Sequence, residues 1–229
     1  MVVRAAAQAA ERVALVAGAT GLVGREVLAA LLTDKRYTAV HCVGRRSLPV
    51  KHPKLVSHVV DLSTLTTLPG IDHIDDVYIA LGTTIKVAGS QQAFRAVDFD
   101  AVLAVARAAK AAGATRLGVI SAMGASANSA LFYNRVKGEM EDAVTQLGYE
   151  ALVIARPSML AGDRAALHQA PRPGEKMGLF AMMTLFKPLI PANYQAITAK
   201  QVAHALLKSV ADLEGGKRIL LSGEMQSVA

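Results

Sequence analysis

The sequence predicts an α/β fold: a doubly wound parallel sheet, with a small lobe added near its carboxyl-terminal end. Three observations predict it. Short runs rich in Val, Ile and Leu alternate with amphipathic segments of helical length. The runs are predominantly apolar, as strands covered on both faces are. The first run, 13–17, ends in Gly18-Ala19-Thr20-Gly21-Leu22-Val23-Gly24, and a helix pattern over 25–32 follows at once.

The remaining elements follow in order. Strands are expected at 39–44, 55–60, 76–81, 116–120, 151–155 and 217–221. Ser90 caps a long helix expected over 91–112, closed by Gly113. A second helix spans 131–147 and is closed by Gly148. Thr198-Ala199-Lys200-Gln201 reads as a capping box that opens a helix running to residue 210. The texture changes after Pro157. Residues 162–176 are loop-like, and 177–186 read as a short apolar helix. The whole chain, 1–229, therefore reads as one domain, with 162–194 forming a lid or lobe over the carboxyl ends of the strands, where such sheets bind ligands.

Composition narrows the function. At 229 residues, 52% hydrophobic and 19% charged, the chain buries a large core. Cys42 is the one cysteine, so no internal disulfide forms and a reducing, cytoplasmic location is expected. Six histidines lie scattered without metal-ligand spacing, and no metal site is expected. The net charge is +7, but the basic residues are dispersed and aromatics are 4%, so no nucleic-acid platform is indicated. A secretory signal would place its apolar core in the first strand, and cleavage there would destroy the glycine turn. The 177–186 stretch falls far short of the ~20 residues that span a bilayer. It could be core, a lipophilic pocket or a surface pairing two copies into a homodimer.

The glycine turn carries the first chemistry. Gly18 permits the turn out of the strand, Gly21 lets backbone N–H groups approach a pyrophosphate, and Gly24 lets the helix pack closely. The spacing is not that of a Walker loop, since no Gly-Lys-Ser/Thr follows. A plain strand–helix turn without ligand is the alternative. In a dinucleotide site an acidic residue about 20 residues further on binds the adenosine ribose. Here the second strand ends in Val43-Gly44-Arg45-Arg46, and two guanidiniums stand at that place. An Arg fork pairs with phosphate, which points to NADP rather than NAD.

The second chemistry lies in Tyr133-Asn134-Arg135-Val136-Lys137. The i, i+4 spacing puts Tyr133 and Lys137 on one helical face. An ammonium beside the phenol favours the phenolate and lowers a pKa that is ordinarily near ~10. Ser121, at the end of the fifth strand, is placed to hydrogen-bond a reacting oxygen. It does not sit in a hydrolase elbow, because Val119 and Met123 stand where the glycines belong.

With these motifs the chain resembles the short-chain dehydrogenase/reductase superfamily along nearly its whole length. More narrowly it looks like the atypical branch containing the Tat-interacting proteins and small bacterial NAD(P)-binding reductase-like proteins. The stretches that carry this are Val43-Gly44-Arg45-Arg46, Leu81-Gly82-Thr83-Thr84, Phe132-Tyr133 with Lys137-Gly138-Glu139, Arg156-Pro157 and Arg172-Pro173-Gly174-Glu175. The resemblance implies a Rossmann fold. It implies that Thr20, Leu22 and Val23 join the glycines in binding cofactor, that Asp61 and Leu62 flank the adenine, and that Leu81, Gly82 and Thr83 line the ribose and pyrophosphate. It implies Tyr133 as acid/base, Lys137 on the nicotinamide ribose, and Pro157, Ser158 and Met159 around the nicotinamide. The chain departs from the pattern at Asp98, where many relatives have an asparagine. Two functions stay open: an NADPH-dependent reductase of a small carbonyl substrate, and an NADPH-binding regulatory or assembly protein with little or no turnover.

Overall fold

The structure, a computed structural model, describes residues 11–161 and 191–228. The apolar 177–186 stretch and nearly all of the expected 162–194 lobe lie outside the described residues.

A seven-stranded parallel sheet forms the centre. It contains β1 (Arg12–Ala17), β2 (Tyr37–Gly44), β3 (Leu55–Val59), β4 (Asp76–Ile79), β5 (Arg116–Ile120), β6 (Ala151–Arg156) and, as its last strand in sequence, Gly216–Leu221. The order is β3-β2-β1-β4-β5-β6 and then Gly216–Leu221, with every neighbouring pair parallel. This is the doubly wound α/β fold that the alternating pattern predicts. The strand order reverses beside β1, whose Ala17 pairs with Val43 on one side and Ile79 on the other.

The apolar runs explain the layering. Val16 and Ala14 face a core built with Val27 and Leu31 of α1 (Leu22–Thr33). Leu15 and Ala17 face the opposite core, with Val105 of α4 (Val102–Ala111) and Val144 of α5 (Phe132–Gln146). Alternate residues of one strand thus enter two cores, and Ala14–Ala17 leave no position for a polar side chain. The Thr198 capping box forms as expected and opens α6 (Ala199–Asp212), which packs beside α1.

Three local features differ from expectation. The helix expected over 91–112 is broken into α3 (Gln91–Arg95), a wide π-helical stretch (Ala96–Ala101) and α4. The wide turn carries Asp98 inward, where the Thr83 N–H donates to its carboxylate at 2.8 Å. The fourth strand ends at Ile79 rather than at 81, because the chain turns out against the Gly18 backbone. Further short elements stand beyond the sequence reading: α2 (Ile85–Ala88), capped by Thr84; a parallel pair β7 (Leu160–Ala161) and β8 (Ile197–Thr198); and α7 (Ser222–Ser227), which follows the last sheet strand, β9 (Gly216–Leu221).

Candidate functional site

The glycine turn sits at the carboxyl end of β1. Gly18 has φ +91°, and a Cβ there would lie 2.5 Å from the Ala80 carbonyl oxygen. A Cβ on Gly24 would lie 2.0 Å from the Gly18 oxygen, so the first turn of α1 is pressed onto the loop. Gly21 caps α1 without a side-chain hydrogen bond, and no acid stands in the first turn. The N–H donors there and the positive end of the helix are therefore open to an anion. Thr20 is exposed and Leu22 half-buried, while Val23 packs into the core, so what Val23 offers a ligand is backbone.

Beside the turn lies a cleft open to solvent. The structure brings Gly18, Thr20, Arg45, Arg46, Leu62 and Leu81 together around it. None of its lining side chains is acidic. Arg45 and Arg46 are exposed, and neither makes an ion pair among the described residues. Cys42 also lines the cleft, and burial pushes its thiol up to about 12. Asp61 stays outside. Its carboxylate accepts the Ser63 N–H at 2.9 Å and hydroxyl at 2.7 Å, which lowers its pKa and shapes the turn that delivers Leu62.

Farther along the sheet edge, α5 carries Tyr133 and Lys137. The Tyr133 ring packs on Phe94 at 5.3 Å between centroids. Lys137 Nζ lies 2.8 Å from Asp98 Oδ1, both side chains buried, in a charge contact rather than an aligned hydrogen bond. Gly82 adjoins this pair: a Cβ there would come 3.4 Å from Asp98 Oδ1 and 3.9 Å from Lys137 Nζ. Burial, and then the Asp98 charge, push the Tyr133 phenol up to about 12. The downward pull expected from Lys137 is not the direction found here: burial raises the phenol most, and the Asp98 charge adds to the rise.

Ser121 belongs to a second cluster. Its hydroxyl donates to Glu141 Oε1 at 2.5 Å, and Arg156 holds the same carboxylate through Nε and a second nitrogen. The proton expected for a reacting oxygen is thus directed to Glu141. Pro157 is buried, and its carbonyl accepts the Met123 N–H at 3.0 Å, tying the loops after β5 and β6. Ser158 donates its N–H to Ser222 Oγ at 2.8 Å and its hydroxyl to the Gln195 carbonyl. Met159 is 51% exposed.

Glu141 escaped the sequence reading, although a signal was present: Tyr133, Lys137 and Glu141 repeat every four residues and mark one helical face. Asp98 was visible as a departure from a family pattern, but nothing local marked it as the partner of Lys137.

A doubly wound sheet with an uncapped glycine turn above a basic cleft defines a dinucleotide-binding protein. The chain belongs to the NAD(P)H-binding family, which it matches over residues 18–213. It is 32% identical to the mitochondrial protein FMP52 of Eremothecium gossypii, over 94% of this chain and 96% of that protein. It is 32% identical to protein HTATIP2 of Rattus norvegicus, over 90% of this chain and 84% of that protein. This is the atypical, reductase-like branch that the motifs resemble. The fold is similar to that of the Bordetella bronchiseptica enzyme WbmH in complex with NAD+, with a TM-score of 0.67 and 16% identity, covering 93% of this chain and 76% of that one.

One expectation is corrected. The FMP52 relatives from four fungi are named as mitochondrial, so a cytoplasmic location does not stand. A single unpaired cysteine excludes an internal disulfide without naming the compartment. Among the described residues no helix is long and apolar enough to cross a membrane, and no cluster of metal-ligating side chains occurs.

Proposed function

We propose that the protein is an NADPH-dependent oxidoreductase that reduces a small carbonyl or related substrate. The observation that carries this reading is the placement of Tyr133 and Lys137 on one face of α5, beside Gly82 and Asp98, at the sheet edge that also holds the glycine turn. Arg45 and Arg46, without an ion pair among the described residues and lining an acid-free cleft, favour a ribose phosphate and hence NADPH over NADH.

The reduced nicotinamide, when bound, supplies the hydride. The chain's own residues do the rest. The glycine turn and the N–H groups of α1 hold the pyrophosphate, with Thr20 and Leu22 at its rim. Leu62 and Leu81 enclose the base and ribose, and Asp61 braces the Leu62 turn. Gly82 and Thr83 run beside Lys137, and its ammonium holds the second ribose. Pro157, Ser158 and Met159 shape the nicotinamide side. Tyr133 gives its proton to the carbonyl oxygen, and Ser121 steadies that oxygen once its hydroxyl rotates away from Glu141.

A second reading, an NADPH-binding protein with little or no turnover, is favoured by one observation. The Ser121 hydroxyl and the Lys137 ammonium both already have partners inside the protein. NADPH oxidation screened against aldehydes, ketones, quinones and enones separates the two. Tyr133→Phe should lower kcat by about 10²–10⁴-fold with NADPH affinity nearly unchanged. A substrate turned over equally by parent and Tyr133→Phe overturns the mechanism. NADPH binding with no turnover of any substrate class replaces it with the second reading.

A further inference from the structure

Asp98 takes no chemical role in the reductase mechanism, yet it is among the most buried charged groups described, at 1% exposure. The π-helical stretch turns it inward, and its two oxygens face two different elements. Oδ2 accepts the Thr83 N–H at 2.8 Å, and Oδ1 faces Lys137 Nζ at 2.8 Å. A buried ion pair of this kind persists as a pair, because removing either charge leaves the other uncompensated.

The other charges on the elements around Tyr133 are paired, bonded to backbone or exposed to solvent. Arg95 of α3 pairs with Glu139 of α5. Arg135 donates to the Ser129 carbonyl at 2.9 Å, and Asp100 of the wide turn is exposed to solvent. Lys137, one helical turn from the phenol, is the cation placed to stabilise a phenolate, and Asp98 compensates it.

We propose that Asp98 is a positioning residue: by closing an ion pair on Lys137 it keeps the Tyr133 phenol protonated through the working pH range, so that the resting site holds the proton a carbonyl oxygen takes. The upward shift of the phenol by burial and by the Asp98 charge has the same sense. In reduction the carbonyl carbon takes a hydride from reduced nicotinamide, and the oxygen takes the phenol proton. The phenolate left behind takes a proton from water.

The proposal rests on Tyr133 as the proton donor, and its test needs no substrate. The full chain, carrying tyrosine labelled with ¹³C at Cζ, is titrated by NMR without cofactor, with Tyr133→Phe assigning the resonance. The parent phenol should remain protonated to beyond about pH 10. Asp98→Asn keeps an acceptor for the Thr83 N–H and releases Lys137, so the Tyr133 midpoint should fall by about one pH unit or more. Adding Lys137→Met to Asp98→Asn should reverse that fall. An unchanged midpoint in a folded Asp98→Asn protein overturns the proposal. So does a parent phenol that titrates below about pH 9, a measurement that stands even if the variant does not fold. Absence of NADPH oxidation would remove the reductase reading while leaving these midpoints as measured.

Discussion

The Ser121 hydroxyl donates a 2.5 Å hydrogen bond to Glu141, and Arg156 holds that same carboxylate. Through this one side chain the end of β5, the middle of α5 and the end of β6 are tied together. Glu141 is buried and Arg156 partly so, with side-chain exposures of 6% and 24%. Breaking the pair takes the hydrogen-bonded anion from the Arg156 guanidinium and leaves it the longer-range attraction of Asp142.

Glu141→Ala should therefore cost about 3 kcal/mol, the lower end for a buried ion pair, because water reaches Arg156. For a chain of this size that corresponds to a melting temperature lower by about 6–12 °C. Glu141→Gln retains the shape and should lose less. A Glu141→Ala protein that melts within about 2 °C of the parent would show that water replaces the carboxylate at little cost.

The two glycines of the turn should separate folding from binding. Gly24→Ala puts a Cβ 2.0 Å from the Gly18 oxygen, a backbone atom that cannot step aside, and should destabilise by about 3 kcal/mol or more. A Cβ at Gly21 meets the same oxygen at 3.3 Å, which a small shift accommodates. Gly21→Val should fold yet lose NADPH, read by calorimetry beside a thermal melt. A folded Gly21→Val protein with parental affinity would place the phosphates elsewhere.

Arg45→Ala should weaken NADPH by about tenfold or more, the range of a charge-assisted hydrogen bond. NADH should bind as before. Equal affinities of the parent for both cofactors would sink the assignment of the arginines to a ribose phosphate.

His41 on β2 and His58 on β3 meet with Nδ1 and Nε2 at 2.9 Å and their rings stacked. Both are held below the ordinary histidine value, His41 by burial and then by the His58 charge, His58 by burial. The folded chain thus binds fewer protons than the unfolded chain as pH falls below about 6.5. Stability is complete above that pH and is lost as pH falls through the lowered folded values. Melting temperature should drop between about pH 7 and pH 5, and His58→Thr should flatten the slope. Identical slopes in parent and variant would exclude the pair as the source.

The sequence by itself determined whatever depends on neighbours along the chain. Leu15 and Val16 announce a strand buried on both faces because successive side chains of any strand point to opposite sides. Gly18, Gly21 and Gly24 announce the turn, and Thr198 with Gln201 announces a helix start, because turn and cap geometry close within a few residues. Tyr133 and Lys137 share a face because the helical period makes them do so. Only the tertiary structure decided which partners those side chains meet. Asp98 reaches Lys137 because the helix after Ser90 widens into a π turn, where helix propensity predicts an unbroken helix. Ser121 gives its proton to Glu141, and Arg156 closes the cluster, because β5 and β6 are sheet neighbours under α5. These contacts join separate elements, and their geometry is set by strand order and helix packing, which no local pattern encodes.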